Sequence, residues 1–296
     1  MKKRILGTSQ IEISEISLGC MSLPPNKGEA ELVVAAALDY GIDYFDTADL
    51  YDKGVNEEIV GELVKKNRHD ILLATKAGNR WEEGKEGWHW DASPAHLKQA
   101  VKDSLRRLQT DYIDVYQLHG GTTADNWEEI IDTFDQLKKE GLIREYGISS
   151  IRPNVFTPFL KDSGAISNMM QFNILDQRAS EYFTTIQQSG ASVVTRGSIA
   201  KGLLTNDWRN RLQSYMGYEK EQVQEIIAKI EHNYGDVHAA ALAFNLHYET
   251  IASTVIGART IEQLQQNMTA YEKAQQLGSI STLLEWIEPE RYTEHR

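Results

Sequence analysis

The chain has 296 residues, 41% of them apolar and 25% charged, a composition ordinary for a soluble globular protein. A chain of this length buries roughly three quarters of its unfolded surface, so no metal or disulfide staple is required. Its 31 basic and 43 acidic residues give a net charge of −12. That balance argues against nucleic acid and anionic membranes as partners, and any phosphate-bearing ligand must meet a local cluster of positive groups.

The single cysteine, Cys20, excludes an internal disulfide and suits a reducing compartment. No apolar segment follows "MKKRILGTSQ" and no run approaches the length of a membrane span, so a cytoplasmic protein is expected.

The opening "RILGTSQIEISEISLGCMSL" reads as a hairpin, Ile5-Leu6 against Ile11–Ile13, followed by a strand ending at Gly19. Strands and helices then alternate. Leu32, Val33, Ala36, Ala37 and Tyr40 share one helical face, and a short strand, Tyr44-Phe45, ends on Asp46. A turn carrying Tyr51 leads to a helix near Asn56, with Ile59, Val60, Leu63 and Val64 as its apolar stripe. The strand from Ile71 ends on Lys76. Ser93 and Pro94 open a helix with Leu97, Val101, Leu105 and Leu108 on one side. The strand from Ile113 ends on His119, and Ile130, Ile131, Phe134 and Leu137 mark the next helix. "REYGISS" is a strand, followed by a helix expected to break or bend at Pro158.

"NMMQFNIL" and "SVVTRG" read as further strands, separated by a helix around 182–188. Helices over 219–234 and 236–247, the strand "STVIG" and a helix from Thr260 complete the pattern. Eight strand-like units, each followed by a helix, imply a parallel sheet closed as a (β/α)8 TIM barrel, with the N-terminal hairpin closing the barrel bottom. No linker or low-complexity stretch divides the chain, so residues 1–296 are expected to form one domain. The tail, with Trp286 and Tyr292, is expected to pack back over the barrel.

In such barrels the reactive groups stand at the C-terminal ends of strands. Asp46, Tyr51, Lys76 and His119 come from three successive strand-to-helix junctions and should face one mouth. Alone, each has an ordinary explanation: a cap, a packing residue, a snorkelling lysine, a core histidine. Together they suggest proton transfer. An unassisted tyrosine is a poor acid at neutral pH, whereas an ammonium beside it stabilises the phenolate, about 1.4 kcal/mol for each tenfold gain in acidity. A carboxylate aims the ammonium, and a histidine on the neighbouring strand can hydrogen-bond a substrate oxygen. Such a set can polarise a carbonyl and protonate the alkoxide formed as hydride arrives.

The order Asp46, Tyr51, Lys76, His119, within "YFDTADLY", "ILLATKAG" and "DVYQLHGG", resembles the tetrad of the aldo-keto reductase superfamily. The likeness runs from "LGTSQIEISEISLGCMS" to "GARTIEQLQQN". It implies a barrel that binds NADPH across its mouth and reduces aldehydes or ketones as a monomer. Tyr51 would be the proton donor, Lys76 and Asp46 would tune it, and His119 would orient the carbonyl.

No GxGxxG turn follows the first strand, which argues against a Rossmann domain. By the resemblance, Ser149 and Gln171 hold the nicotinamide carboxamide, with Asp46 close by and Cys20 and Met21 near the ribose. "VTRGSIAKGLLT" resembles a pyrophosphate-binding loop, offering Arg196, Gly197, Ser198, Ala200, Lys201 and Gly202; Lys201 has the alternative of being merely solvated. Arg196 stands where many relatives carry a tyrosine stacked on the nicotinamide, and a planar guanidinium can stack as well. Ser150 replaces an asparagine common in relatives. Gly257 precedes Arg259, which sits at a helix start suited to the 2′-phosphate of NADPH. Gln263 either completes a capping box with Thr260 or meets the cofactor, and Asn267 would reach the adenine.

Trp81, Trp88 and Trp90 crowd the loop after Lys76 and either wall the substrate pocket or pack the loop onto the barrel. A wall would favour aldehydes with an apolar body, and the loop's glutamates offer little to an anionic substrate. Alternative readings are an NADP(H)-binding sensor with little turnover, or a barrel isomerase or lyase acting on a phosphorylated substrate. His119 has no companion at metal-ligand spacing in its own segment, which argues against a metal enzyme.

Overall fold

The computed structural model describes residues 1–82, 84–278, 280, 283 and 291–293. Strands β1 (Lys3–Ile5) and β2 (Glu12–Ser14) form the N-terminal hairpin. The barrel strands are β3 (Ile16–Gly19), β4 (Tyr44–Asp46), β5 (Leu72–Ala77), β8 (Ile113–His119), β9 (Ile143–Ser149), β10 (Ser167–Gln171), β11 (Ser192–Arg196) and β12 (Ile251–Ile256). A second hairpin, β6 (Asn79–Arg80) with β7 (His89–Trp90), rises from the end of β5. The helices are α1 (Lys27–Asp39), α2 (Val55–Val64), α3 (Pro94–Leu108), α4 (Trp127–Lys139), α5 (Pro153–Asp162), α6 (Phe183–Gln188), α7 (Trp208–Arg211), α8 (Lys220–Tyr234), α9 (Val237–Leu246) and α10 (Ile261–Ala274).

The eight barrel strands pair in parallel and close in the order β3-β4-β5-β8-β9-β10-β11-β12, with β12 returning to β3. This is the (β/α)8 barrel the alternation predicts. Leu6 and Ile13 of the hairpin are fully buried against Tyr44, Ala74, Val115, Met169, Val194 and Ala252, the inward residues of the lower strands. The hairpin therefore closes the barrel bottom with apolar side chains. Two residues further along the same strands, one pleat period higher, stand Asp46, Lys76, Gln117, Gln171 and Arg196. The strand period thus carries each inward face from an apolar floor to a polar mouth.

Four local readings need correction. Helix α1 buries Ala30, Val33, Val34 and Ala37, while Leu32 is 56% exposed and Tyr40 lies at the surface, so the apolar face is turned from the one the sequence suggests. Pro158 lies inside α5, which continues through it because Val155, Phe156, Phe159 and Leu160 anchor both sides in the core. Strand β10 ends at Gln171; the apolar residues after it are buried around a tight turn closed by Asn173 and Asp176. The segment after Lys76 is not plain loop, since β6 pairs with β7.

Helix α2 crosses α3 closely at Gly61, where a Cβ would come within 2.5 Å of the Leu108 backbone. Tyr292 is buried, in ring contact with Tyr182 and under the Arg178 guanidinium, as expected of the tail; Trp286 lies outside the described residues. Among the described residues no helix is long and apolar enough to cross a membrane.

Candidate active site

Asp46, Tyr51, Lys76 and His119 meet at one end of the barrel. The Lys76 side chain is completely buried, and its three donors are all used: Asp46 Oδ2 at 2.7 Å, the Thr47 carbonyl at 2.7 Å and the Tyr51 hydroxyl at 3.3 Å. Burial alone would discharge this ammonium, but the attraction of Asp46 and Tyr51 outweighs it and raises its pKa, so Lys76 stays cationic. Burial likewise works to raise the Asp46 carboxyl, opposed by Lys76 and by Gln117, whose Nε2 donates to Asp46 Oδ1 at 3.3 Å. The ring of His119 meets the Tyr51 ring edge-on at 6.2 Å. Its Nδ1 is buried without a partner, and burial followed by the charges of Lys76 and Arg196 lowers its pKa to about 3. The imidazole is therefore neutral at physiological pH.

The first turn of α2 holds this constellation in place. Asn56 accepts from the Thr47 hydroxyl at 2.6 Å and donates to the Cys20 carbonyl at 2.8 Å. Glu57, fully buried, accepts from Thr75 at 2.6 Å and from Arg107 at 2.6 Å. The neighbours of Asp46 and Lys76 are thus tied to one helical turn. Tyr51 precedes Asp52, Lys53 and Gly54, all with positive φ, a turn that costs non-glycine residues on the order of 1 kcal/mol each.

Gln117, Asn56, Glu57, Thr75 and Arg107 are not marked by the sequence motifs. A polar residue at an inward strand position (Gln117) or on the inner face of an amphipathic helix (Glu57) is the pattern that could have found them.

The residues expected to hold a cofactor cluster in two places. Ser149, Gln171 and Arg196 stand at neighbouring strand ends, with the Arg196 guanidinium donating to Gln171 Oε1 at 3.2 Å and Gln171 donating to Asp176 at 2.8 Å. Lys201, Gly202, Gly257, Gln263 and Asn267 line a groove of about 870 Å3. Asn267, nearly buried in its wall, donates to the Gly257 carbonyl at 3.3 Å. Gly197, Ala200, Lys201 and Gly202 all have positive φ, so the loop between β11 and the groove is tightly wound.

Other expected contacts fall differently. Cys20 is fully buried with its thiol 3.7 Å from the Leu18 carbonyl, whereas Met21 is 64% exposed. Ser198 and Ala200 are buried, main chain included. Gln263 accepts from the Arg259 amide at 2.9 Å and Thr260 accepts from the Gln263 amide at 3.3 Å, so Gln263 does act as a helix cap. Ser150 accepts from the Arg152 amide at 3.3 Å and shapes the turn into α5. Trp81 lies beside α3, not with the other two indoles; Trp88 and Trp90 contact each other at 5.6 Å on the hairpin flank of the mouth. Among the described residues no group of three or more His, Cys, Asp or Glu could hold a metal ion.

An unsymmetrical set of cations along the mouth of an acidic protein fits a polyanionic dinucleotide. Arg196, Lys201 and Arg259 lie on the β11 and β12 side, each exposed and none in an ion pair among the described residues. The polar ends of Ser149 and Gln171 suit a carboxamide.

Comparison with known proteins gives the family. The Aldo/keto reductase family profile matches residues 5–283. An uncharacterized oxidoreductase of Bacillus subtilis, YqkF, is 49% identical over 278 residues, 91% of each chain. The NADH-specific methylglyoxal reductase of Escherichia coli is 27% identical over 304 residues, covering 91% of this chain and 93% of its own. The holo form of aldo-keto reductase AKR11C1 from Bacillus halodurans superposes with a TM-score of 0.92 at 45% identity, over 100% of this chain and 99% of that one. The chain belongs to the aldo/keto reductase family, oxidoreductases that reduce carbonyl groups with a nicotinamide cofactor.

Proposed function

We propose that this protein reduces aldehydes or ketones to alcohols with NADPH, and that Tyr51 delivers the proton. The observation that carries this reading is the buried Lys76 ammonium, held by Asp46 and directed at the Tyr51 hydroxyl beside a neutral His119. NADPH, when bound, supplies the hydride. The chain's own groups manage the oxygen. His119, neutral and with one N–H, hydrogen-bonds the carbonyl oxygen and orients it. Tyr51 gives that oxygen its proton as negative charge develops, and Lys76 stabilises the phenolate left behind. Asp46 keeps Lys76 fixed throughout, and Gln117 holds the Asp46 carboxylate.

Ser149, Gln171 and Arg196 would hold the nicotinamide end, Lys201 and the loop of 197–202 the pyrophosphate, and Asn267 the adenine. Arg259, exposed at the start of α10, favours the 2′-phosphate and hence NADPH; the NADH-specific relative makes this preference the chain's own property to be measured. We take the enzyme to act as a cytoplasmic monomer built as one barrel.

The test is a fluorescence titration with NADPH and with NADH, followed by an aromatic aldehyde. Tighter binding of NADPH and loss of its absorbance on adding aldehyde are expected. Tyr51→Phe should bind NADPH as tightly and lose turnover by about 10²–10⁴-fold. Turnover retained in that variant would remove Tyr51 from the role assigned. Tight binding without turnover of several aldehydes would move the reading to an NADP(H) sensor.

A further inference from the structure

Around the barrel, β8 lies between β5 and β9, and His119 ends β8. The segments that follow the two flanking strands meet above it. From β5 comes the β6–β7 hairpin, joined to the strand end by the Asp91 amide bonding the Gly78 carbonyl at 2.9 Å. Its Trp90 indole lies directly on Gly120, where a Cβ would sit 2.7 Å from the indole nitrogen; Gly120, with φ +96, is the residue after His119. From β9 comes Arg152, whose guanidinium lies 4.1 Å over the Trp90 ring and reaches the Gly121 carbonyl at 3.5 Å. Arginine, indole and the His119 strand end therefore form one continuous wall of the mouth.

Among the described residues no carboxylate pairs with Arg152. Most arginines of this acidic chain hold a carboxylate, including Arg107 with Glu57, Arg68 with Asp114 and Arg178 with Asp176. The exceptions among the described residues are Arg152, Arg196, Arg259 and, in the C-terminal tail, Arg291. Arg196 ends β11 and Arg259 follows β12, across the barrel from β8 on the side read as the cofactor's. Arg152 follows β9, two strands from β11 and three from β12, on the flank next to His119. Two acids of the neighbouring hairpin are engaged elsewhere, Asp91 with Arg80 at 3.1 Å and Glu82 with Lys85 at 2.5 Å. A guanidinium stacked on an indole keeps its in-plane N–H groups free to grip a carboxylate. The amino end of α5 begins at the same residue with no side chain capping it, which adds positive potential.

We propose that Arg152 determines substrate specificity, selecting carbonyl compounds whose apolar or aromatic body carries an anionic end such as a carboxylate. The proposal rests on the reductase reading above. Trp90 and Trp88, 37% and 49% exposed, offer the flat apolar surface for the body, and Arg152 fixes the charged end. An acidic surface repels such substrates in general, so the local cation is what admits them.

The experiment measures kcat/KM for 4-carboxybenzaldehyde and for 4-methylbenzaldehyde with NADPH, in the parent protein and in Arg152→Gln and Arg152→Lys. A charge-assisted contact predicts a preference for the carboxylate of about 10–100-fold. In Arg152→Gln that preference should collapse through KM, while the neutral aldehyde and NADPH affinity change by less than about twofold. Arg152→Lys should keep part of it, since the charge remains and the stacked fork is lost. Raising the salt concentration should weaken it in the parent. Equal losses for both aldehydes in Arg152→Gln, or no preference in the parent, would overturn the proposal and leave the reductase reading standing. Failure of the parent to reduce either aldehyde would remove both.

Discussion

Lys76→Met tests the central ion pair. Methionine approximates the lysine stem in length and leaves little cavity, so the variant mainly removes a charge. Asp46, 4% exposed, would then keep Gln117 at 3.3 Å as its remaining side-chain donor. Breaking a buried pair by deleting one partner costs about 3–5 kcal/mol. The stranded carboxylate escapes by binding a proton, which fixes the sign of the pH dependence. With its folded pKa raised above the unfolded value of about 3.9, Asp46 makes the folded state bind more protons than the unfolded one, so stability falls as pH rises through that interval. Urea denaturation followed by tryptophan fluorescence should therefore show a smaller loss near pH 5 than near pH 8, by this linkage. The double variant Lys76→Met with Asp46→Leu should recover much of the stability, because both charges are gone, yet remain inactive. A single variant that loses less than about 1 kcal/mol, or loses equally at both pH values, would refute the description of Lys76 as the counter-charge on which Asp46 depends.

Three further outcomes follow from the same groups. His119, with its pKa lowered to about 3 by burial and by Lys76 and Arg196, carries fewer protons folded than unfolded below its ordinary value near 6.5, so its contribution to stability is lost as pH falls through that window. His119→Gln should lose less stability than the parent between neutral and acid pH in denaturation titrations. Asp49, pushed up to about 8 by burial and then by Glu57, holds a proton that the unfolded chain releases near pH 3.9, and its contribution declines as pH rises toward 8. Asp49→Asn should accordingly be more stable than the parent at alkaline pH and gain nothing near pH 4, read from melting temperatures across that range. Arg259→Ala should weaken NADPH binding by about 10–100-fold and NADH binding by less than twofold in the fluorescence titration, the range expected of a charge-assisted phosphate contact.

The barrel was legible because parallel strands buried on both faces read as apolar runs, and because strand ends carry charges that no packing role demands. Asp46, Lys76 and His119 stand out in that way. Less legible was everything fixed by contacts between elements. Glu57 looks in the sequence like any solvent-facing acid in the first turn of a helix, and its complete burial follows only from Arg107 on α3 and Thr75 on β5. The apolar run through "NMMQFNIL" does not show where pairing stops, since Phe172, Ile174 and Leu175 are buried whether or not they belong to a strand. Two-residue strands such as β6 and β7 are too short for alternation to mark, with Gly84 and Gly87 between them. Arg152 carries no local signal at all; its place above His119 arises from the order of strands around the barrel.

Function in this molecule depends on the way one pleat period links floor to mouth. Tyr44 and Asp46, Ala74 and Lys76, Val115 and Gln117 are successive inward residues, so the packing of the lower member fixes the direction of the upper. The hairpin residues Leu6 and Ile13 fill the space beneath, which keeps the lower layer from relaxing. The outward neighbours Thr47 and Thr75 are bonded to Asn56 and Glu57 on α2, so the strands carrying Asp46 and Lys76 are pinned from inside and outside at once. Tyr51 is the exception: it comes from the turn between them and is held by its contact with Lys76 and by the left-handed residues that follow. On the proposed mechanism, a charged group fixed before substrate arrives needs little reorganisation when negative charge develops on the carbonyl oxygen, and that economy of motion would account for burying Lys76 where a surface lysine would be more stable.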